Sequence, residues 1–163
     1  MSYQPLTLNN VWKYKQKDGS VYSNSVTAVN GNNVEMVNSL TGKPAKVKID
    51  GDHMLTDGYE VGNFQVYLKN NVKVGDTWTV TFKANGLDCL LDITVKEVGV
   101  SKNVEGKDYS DVIMLEGESK MVMNGNTMAL NFFTQWYYAK GTGLILTTSS
   151  AGDSHALVEY SLN

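Results

Sequence analysis

Asn131-Phe132-Phe133-Thr134-Gln135-Trp136-Tyr137-Tyr138-Ala139-Lys140-Gly141-Thr142-Gly143-Leu144 is the stretch on which the reading of this chain turns. It lies in a long hairpin from Tyr109 to Leu146 that holds two of the four Phe, one of the three Trp and three of the nine Tyr. From Phe132 to Tyr138 apolar side chains fall on both faces of the strand, whereas a strand with one solvated face alternates apolar and polar residues. Either a second layer buries this strand on both sides, or its rings line a cavity or groove.

The turn before it, Asn124-Gly125, is the preferred dipeptide of a two-residue hairpin, and such a turn sets the register. It predicts Met121 opposite Met128, Gly117 opposite Phe132, Leu115 opposite Thr134 and Ile113 opposite Trp136. A glycine facing Phe132 leaves room for a ring lying across the neighbouring strand, or marks a bend or bulge. The other face carries Val112, Met114, Phe133 and Tyr137 beside Glu116, Glu118 and Lys120, and is too apolar to be wholly solvated.

Upstream, Trp78, Val80, Phe82 and Ala84 alternate with Thr77, Thr79, Thr81 and Lys83. A turn at Asn85-Gly86 predicts the pairs Phe82–Cys89, Val80–Leu91, Trp78–Ile93 and Lys83–Asp88. A one-residue slip would drive Asp88 and Asp92 into the core. Downstream, strands are expected at Leu144 to Ser149 and His155 to Leu162, the last with Ala156, Val158, Tyr160 and Leu162 inward. The second half is thus a six-stranded up-and-down meander whose strands reach roughly 40 Å, long enough to twist and curl around a core or cavity.

The first half reads as shorter strands, Val11 to Lys15, Val21 to Val29, Val34 to Leu40, Ala45 to Ile49, His53 to Leu55 and Phe64 to Leu68, with Trp12 and Tyr14 sharing a face. Turn signals such as Asp18-Gly19, Asn30-Gly31 and Asp50-Gly51 separate them. No segment shows a sustained helical period, so no helix is expected. The fold class is all-β: a curved antiparallel meander, half-barrel or open barrel, packed against short N-terminal hairpins. With 163 residues, 42% of them hydrophobic, the chain is expected to form a single domain over 1–163.

The net charge is −3, and all 14 basic residues are lysines. Without arginine the chain lacks the side chain most used for bidentate contacts to phosphate and guanine, which argues against nucleic-acid binding. No apolar run approaches the ~20 residues of a membrane-spanning helix. The single cysteine excludes an internal disulfide framework. Met1-Ser2-Tyr3-Gln4-Pro5 has neither the charged nor the apolar region of an export signal, and such a signal is expected to have preceded the residues present here.

No residue set forms a recognisable active site. Gly152-Asp153-Ser154-His155 holds the residue types of a catalytic triad, but neighbours on a strand point to opposite faces. Asp50-Gly51-Asp52-His53 has Met54 where a calcium loop needs Asp or Asn. Cys89 alternates with Leu87 and Leu91 and reads as an inert core residue. Asp88 and Asp92 lie roughly 13 Å apart along a strand, too far for a retaining carboxylate pair. Glu116 and Glu118, about 7 Å apart, are the one pair that could act together. No cofactor, metal or catalytic residue is expected, and enzymatic activity is the less favoured reading.

Val72-Lys73-Val74-Gly75-Asp76-Thr77-Trp78, followed by Trp136-Tyr137-Tyr138-Ala139-Lys140-Gly141-Thr142-Gly143-Leu144-Ile145, resembles a pattern in small, uncharacterised bacterial cell-envelope proteins, secreted or lipid-anchored. There a V-G-D-x-W strand entry precedes a Y-A-x-G-V-G-L strand pair; here Thr142 stands where Val is usual. The resemblance implies an antiparallel β fold and a location in the envelope or outside the cell, and carries over no catalytic residues. The expectation is a non-catalytic protein binding an apolar or carbohydrate ligand in a β groove lined by Trp78, Met121, Met128, Phe132, Trp136 and Tyr138. The competing expectation is a protein-protein interaction or structural module with a fully packed core, engaging a partner through strand edges.

Overall fold

Tight turns between consecutive β-branched and aromatic runs produce twelve antiparallel strands and no helix. The computed structural model describes residues 1–163. The strands are β1 (Val11–Gln16), β2 (Val21–Asn30), β3 (Asn33–Asn38), β4 (Pro44–Asp50), β5 (His53–Thr56), β6 (Gln65–Lys69), β7 (Thr77–Ala84), β8 (Leu87–Val104), β9 (Lys107–Met123), β10 (Asn126–Ala139), β11 (Gly143–Ser149) and β12 (Ser154–Ser161). They form one sheet in the order β6-β5-β4-β3-β2-β1-β12-β11-β10-β9-β8-β7. Each half is an up-and-down meander, and β1 pairs along β12, so the N-terminal hairpins extend the same curved sheet. The sheet curls into a nearly closed barrel with one unsealed seam, between β6 and β7.

No backbone ladder crosses that seam; side chains bridge it. The Trp78 indole N–H donates to the Val66 carbonyl at 3.0 Å, and the Thr81 N–H donates to Gln65 Oε1 at 3.1 Å. Asn63 Nδ2 donates to the Thr81 carbonyl at 2.9 Å, and the Lys83 N–H to Glu60 Oε1 at 3.0 Å. Trp78→Phe keeps most of the packing and removes one bridge, so it is expected to cost about 1 kcal/mol. Denaturant titration checks the cost; faster amide exchange in β6 and β7 than in β1 and β12 would locate it at the seam.

The turns at Asn85-Gly86 and Asn124-Gly125 have φ of 52° and 77°, and of 51° and 78°, the left-handed pair that matches the twist of a two-residue hairpin. The predicted β7–β8 register is observed: Phe82 faces Cys89, Val80 faces Leu91, Trp78 faces Ile93 and Lys83 faces Asp88. In β9–β10 the pair Met121–Met128 is observed, but a bulge between Ala129 and Phe132 then slides the strands by two residues. Asn131, at φ 53°, absorbs the extra chain. Phe132 therefore faces Ser119, Thr134 faces Gly117, Trp136 faces Leu115 and Tyr138 faces Ile113, in place of the register expected from the turn alone. A shift of two keeps every side chain on its face.

The barrel interior is filled. Trp12, Leu68, Val80, Ile93, Ile113, Leu115, Ile145 and Leu157 are each at most 1% exposed. The N-terminal segment closes one end: Gly141 N–H donates to the Ser2 carbonyl at 2.8 Å, Tyr3 N–H donates to Asn70 Oδ1 at 2.9 Å, and Leu6 packs against the core. Register shifts near Glu97 and Val100 bend the distal part of β8–β9. Its Val104, Tyr109 and Val112 join Ala139 and Ala156 in one buried cluster. The ion pair Lys15–Glu105, at 2.9 Å, and a Lys107–Tyr160 hydrogen bond tie the bent hairpin to β1 and β12. This covering explains the apolar outer face of β9–β10 read from the sequence. In β12 a bulge at Val158, where the ladder passes from Lys13–Glu159 to Tyr14–Leu157, breaks the expected alternation. Ala156 and Leu157 are neighbours on opposite faces and both are buried, whereas Val158, expected inward, is exposed.

Candidate functional site

At the end of the barrel opposite the N-terminal segment, β7–β8 and β9–β10 project side by side. Cross-strand pairing aligns Phe82, Cys89, Met121 and Met128 in one row across four strands. The next row toward the core is Val80, Leu91, Ser119 and Phe132, and the next toward the tips holds Ala84, Leu87 and Met123. Burial falls along this series: Val80 is 0% and Leu91 6% exposed, Phe82, Cys89 and Met121 are half-buried, and Leu87, Met123 and Met128 are 42–47% exposed. An apolar face thus runs from the packed interior into solvent.

A cavity of about 280 Å³ opens on this face, lined by Tyr59, Phe82, Cys89, Leu91, Leu130 and Trp136, with Ser119, Lys120 and Thr134 as its polar members. Tyr59 arrives from the loop between β5 and β6 and packs its ring 5.3 Å from that of Phe82. Burial pushes the Tyr59 hydroxyl up to about 12, so it stays neutral and can donate a hydrogen bond. Lys120 is held by Asp92 at 2.8 Å and by Glu118 at 4.0 Å, and these carboxylates keep its ammonium charged.

Of the residues named from the sequence, Trp136 lines the cavity, Met121 and Met128 continue its apolar surface toward the tips, and Phe132 lies one row nearer the core. Tyr138 is only 5% exposed, deeper in the interior, where burial holds its hydroxyl far above the ordinary range. Trp78 lies at the seam, with Lys69 Nζ 4.8 Å from its ring centroid. The ring accommodated by Gly117 is that of Trp136, not Phe132 as expected: a Cβ on Gly117 would lie 2.8 Å from two Trp136 ring carbons. Cys89, expected as an inert core residue, is half-buried and lines the cavity. Phe82 was within reach of sequence reasoning, since the β7–β8 register places it opposite Cys89. Tyr59 was not, because a non-local loop delivers it.

The acid-base candidates lie elsewhere. Glu116 and Glu118 are on the outer face, Glu116 accepting from Gln135 Nε2 at 2.9 Å and pairing with Lys96 at 3.8 Å. His155 shares a 2.8 Å hydrogen bond with the Tyr22 hydroxyl, while Asp153 accepts from Ser149 Oγ at 3.2 Å, so the Asp-Ser-His tripeptide does not converge. No three His, Cys, Asp or Glu side chains come together as a metal site would require.

No family profile and no curated protein matches the sequence. Solved structures do share the fold. A "putative exported protein with YmcC-like fold" from Bacteroides fragilis NCTC 9343 superposes with a TM-score of 0.60 at 11% identity, over 99% of both chains. A "putative lipoprotein" from Parabacteroides distasonis ATCC 8503 superposes with a TM-score of 0.59 at 16% identity, over 98% of both. The hypothetical lipoprotein YmcC from Escherichia coli K12 gives 0.48 at 8% identity, over 95% of this chain and 86% of its own. The likeness to the first two extends the fold over essentially the whole chain.

Proposed function

We propose that this protein works in the cell envelope or outside the cell as a non-catalytic binder of a small apolar ligand at the barrel mouth. The row Phe82, Cys89, Met121 and Met128, continuous with the cavity beside Trp136, carries this reading. Such surface stays costly in water until something covers it. Methionines suit the role because their unbranched thioethers adapt to irregular apolar shapes. The exported and lipoprotein descriptions of the two structures sharing the fold support the location. The few polar groups in the cavity favour an apolar ligand over a carbohydrate, which needs a denser set of hydrogen-bonding partners.

Titration with the fluorescent fatty-acid analogue 11-(dansylamino)undecanoic acid tests it. Met128→Glu places a charge at a position already 47% exposed, so the melting temperature is expected to hold while affinity falls at least about tenfold. No saturable binding by the unmodified protein, or undiminished binding by the variant, would refute the reading. A second reading, a protein-interaction module, draws on the exposed Leu87 and Met123 at the tips. Self-association rising with concentration in sedimentation experiments, and abolished by Met123→Glu, would favour it.

A further inference from the structure

A broad concavity lies away from the mouth, on the other half of the sheet. It has a volume of about 940 Å³ and runs over the solvent side of β2–β4, with the loop from Asp57 to Phe64 as its wall. That loop is anchored by a side chain only 8% exposed: Asp57 Oδ1 accepts from the Lys46 N–H at 2.9 Å and Oδ2 from the Gly62 N–H at 3.2 Å. Both oxygens of the one buried carboxylate are thereby spent on shaping the groove. Phe64 is fixed on the wall, with Lys48 Nζ 4.0 Å from its ring centroid.

Charge on this surface runs against that of the chain. The protein carries −3 overall, yet Lys43, Lys46 and Lys48 line the groove, and none of the three makes an ion pair. Glu35, opposite Lys46 in the β3–β4 ladder, is the one lining carboxylate besides Asp57. Three lysines against two carboxylates leave the lining net positive, and a concave surface of that sign concentrates anions. The neutral polar lining, Asn30, Asn33 and Thr41, offers amide and hydroxyl groups to hydroxyl-rich partners. β3 and β4 are paired on both sides within the sheet, so an extended peptide would find no free strand edge at the groove floor.

We propose that this groove is a second binding site, independent of the mouth, and that it takes an anionic oligosaccharide. Carboxylates of the sugar pair with Lys43, Lys46 and Lys48, and its hydroxyls bond to the asparagine amides. Because the ammonium groups lie at an open surface, binding must weaken with salt.

The experiment titrates the full chain with trigalacturonic acid by calorimetry, with neutral maltotriose in parallel. The expected result is saturable binding of the uronate trimer alone. Affinity should fall at least about fivefold when salt rises from about 50 to about 500 mM, by screening. The double variant Lys43→Gln, Lys46→Gln should lose at least about tenfold, and Lys17→Gln with Lys73→Gln, both exposed and outside the groove, should lose nothing. Both variants alter exposed side chains, and superimposable melting curves confirm that each is folded. Absence of trigalacturonate binding, equal affinity for maltotriose, or indifference to the groove variant would each overturn the proposal. Tighter binding of hexaglutamate at the same lysines would also overturn it, in favour of an acidic peptide.

Discussion

Trp12→Ala is expected to cost about 3–5 kcal/mol, the range for truncating a large buried aromatic and leaving a cavity behind. A typical domain is stable by only ~5–15 kcal/mol, so a large share of the margin would go. Trp12 is 1% exposed, and its indole N–H donates to the Thr142 carbonyl at 2.7 Å. It sits on β1 between Asn24 of β2 and Tyr160 of β12, the strand pairing that joins the two halves of the sheet. Gly143, at φ +121°, lies under the ring, and a Cβ there would approach the indole nitrogen to 2.9 Å. Removing the indole therefore empties a site to which three strands and the β10–β11 turn are fitted. Urea titration followed by circular dichroism measures the loss. Trp12→Phe, which keeps much of the ring volume and removes the hydrogen bond, should lose roughly half as much. A cost below about 1 kcal/mol for the alanine variant would show that the joining of the two halves does not depend on this side chain.

The second large effect is expected at Gly117. A Cβ at this position would lie 2.8 Å from Leu91 Cδ1 and 2.8 Å from two carbons of the Trp136 ring. Neither neighbour can yield freely: Leu91 is 6% exposed, and Trp136 is held on β10 between Leu115 and Thr147. Gly117→Ala is expected to destabilise by about 1–3 kcal/mol and Gly117→Val by more, the cost of overpacking a filled interior. A smaller side chain in place of Trp136 should relieve the clash, so Gly117→Ala combined with Trp136→Leu should cost less than the sum of the two single changes. The expected coupling is about 1 kcal/mol or more, measured by a double-mutant cycle in denaturant. Additive costs would mean that the glycine serves the backbone and not the ring.

The Gly117 contact shows how far local pattern reaches. A glycine making room for an aromatic ring was legible in the sequence; which ring was not, because the answer turned on a bulge at Leu130-Asn131. The Asn124-Gly125 turn determines the pair Met121–Met128 beside it, but nothing in alternation marks an insertion of two residues, since such a shift leaves every side chain on the same face. The same limit explains β12. Simple alternation puts Val158 inward, whereas a bulge at that residue turns Leu157 inward instead, and the bent β8–β9 hairpin covers the other face and buries Ala156.

The candidate site was legible in the same partial way. Met121, Met128, Phe132 and Trp136 share one face of one hairpin, so a single local register carries them together. Trp78, on the apolar face of β7, and Tyr138, on the aromatic strand, are expected in the same groove, and the tertiary structure puts them at the seam and in the core. Tyr59 joins the cavity through a loop whose path depends on how β5 and β6 close the first meander, a non-local event with no signature in residues 57–64.

The sequence by itself determined the all-β class, the twelve-strand succession and the β7–β8 register. These follow from side-chain alternation and from Asn-Gly turns, whose left-handed backbone is a property of the dipeptide. Only the tertiary structure decided that β1 joins β12, that the seam falls between β6 and β7, and that an apolar face is left open at one end. Those outcomes depend on sheet curvature and on which surfaces meet after the chain has closed on itself, and no short window of residues encodes either.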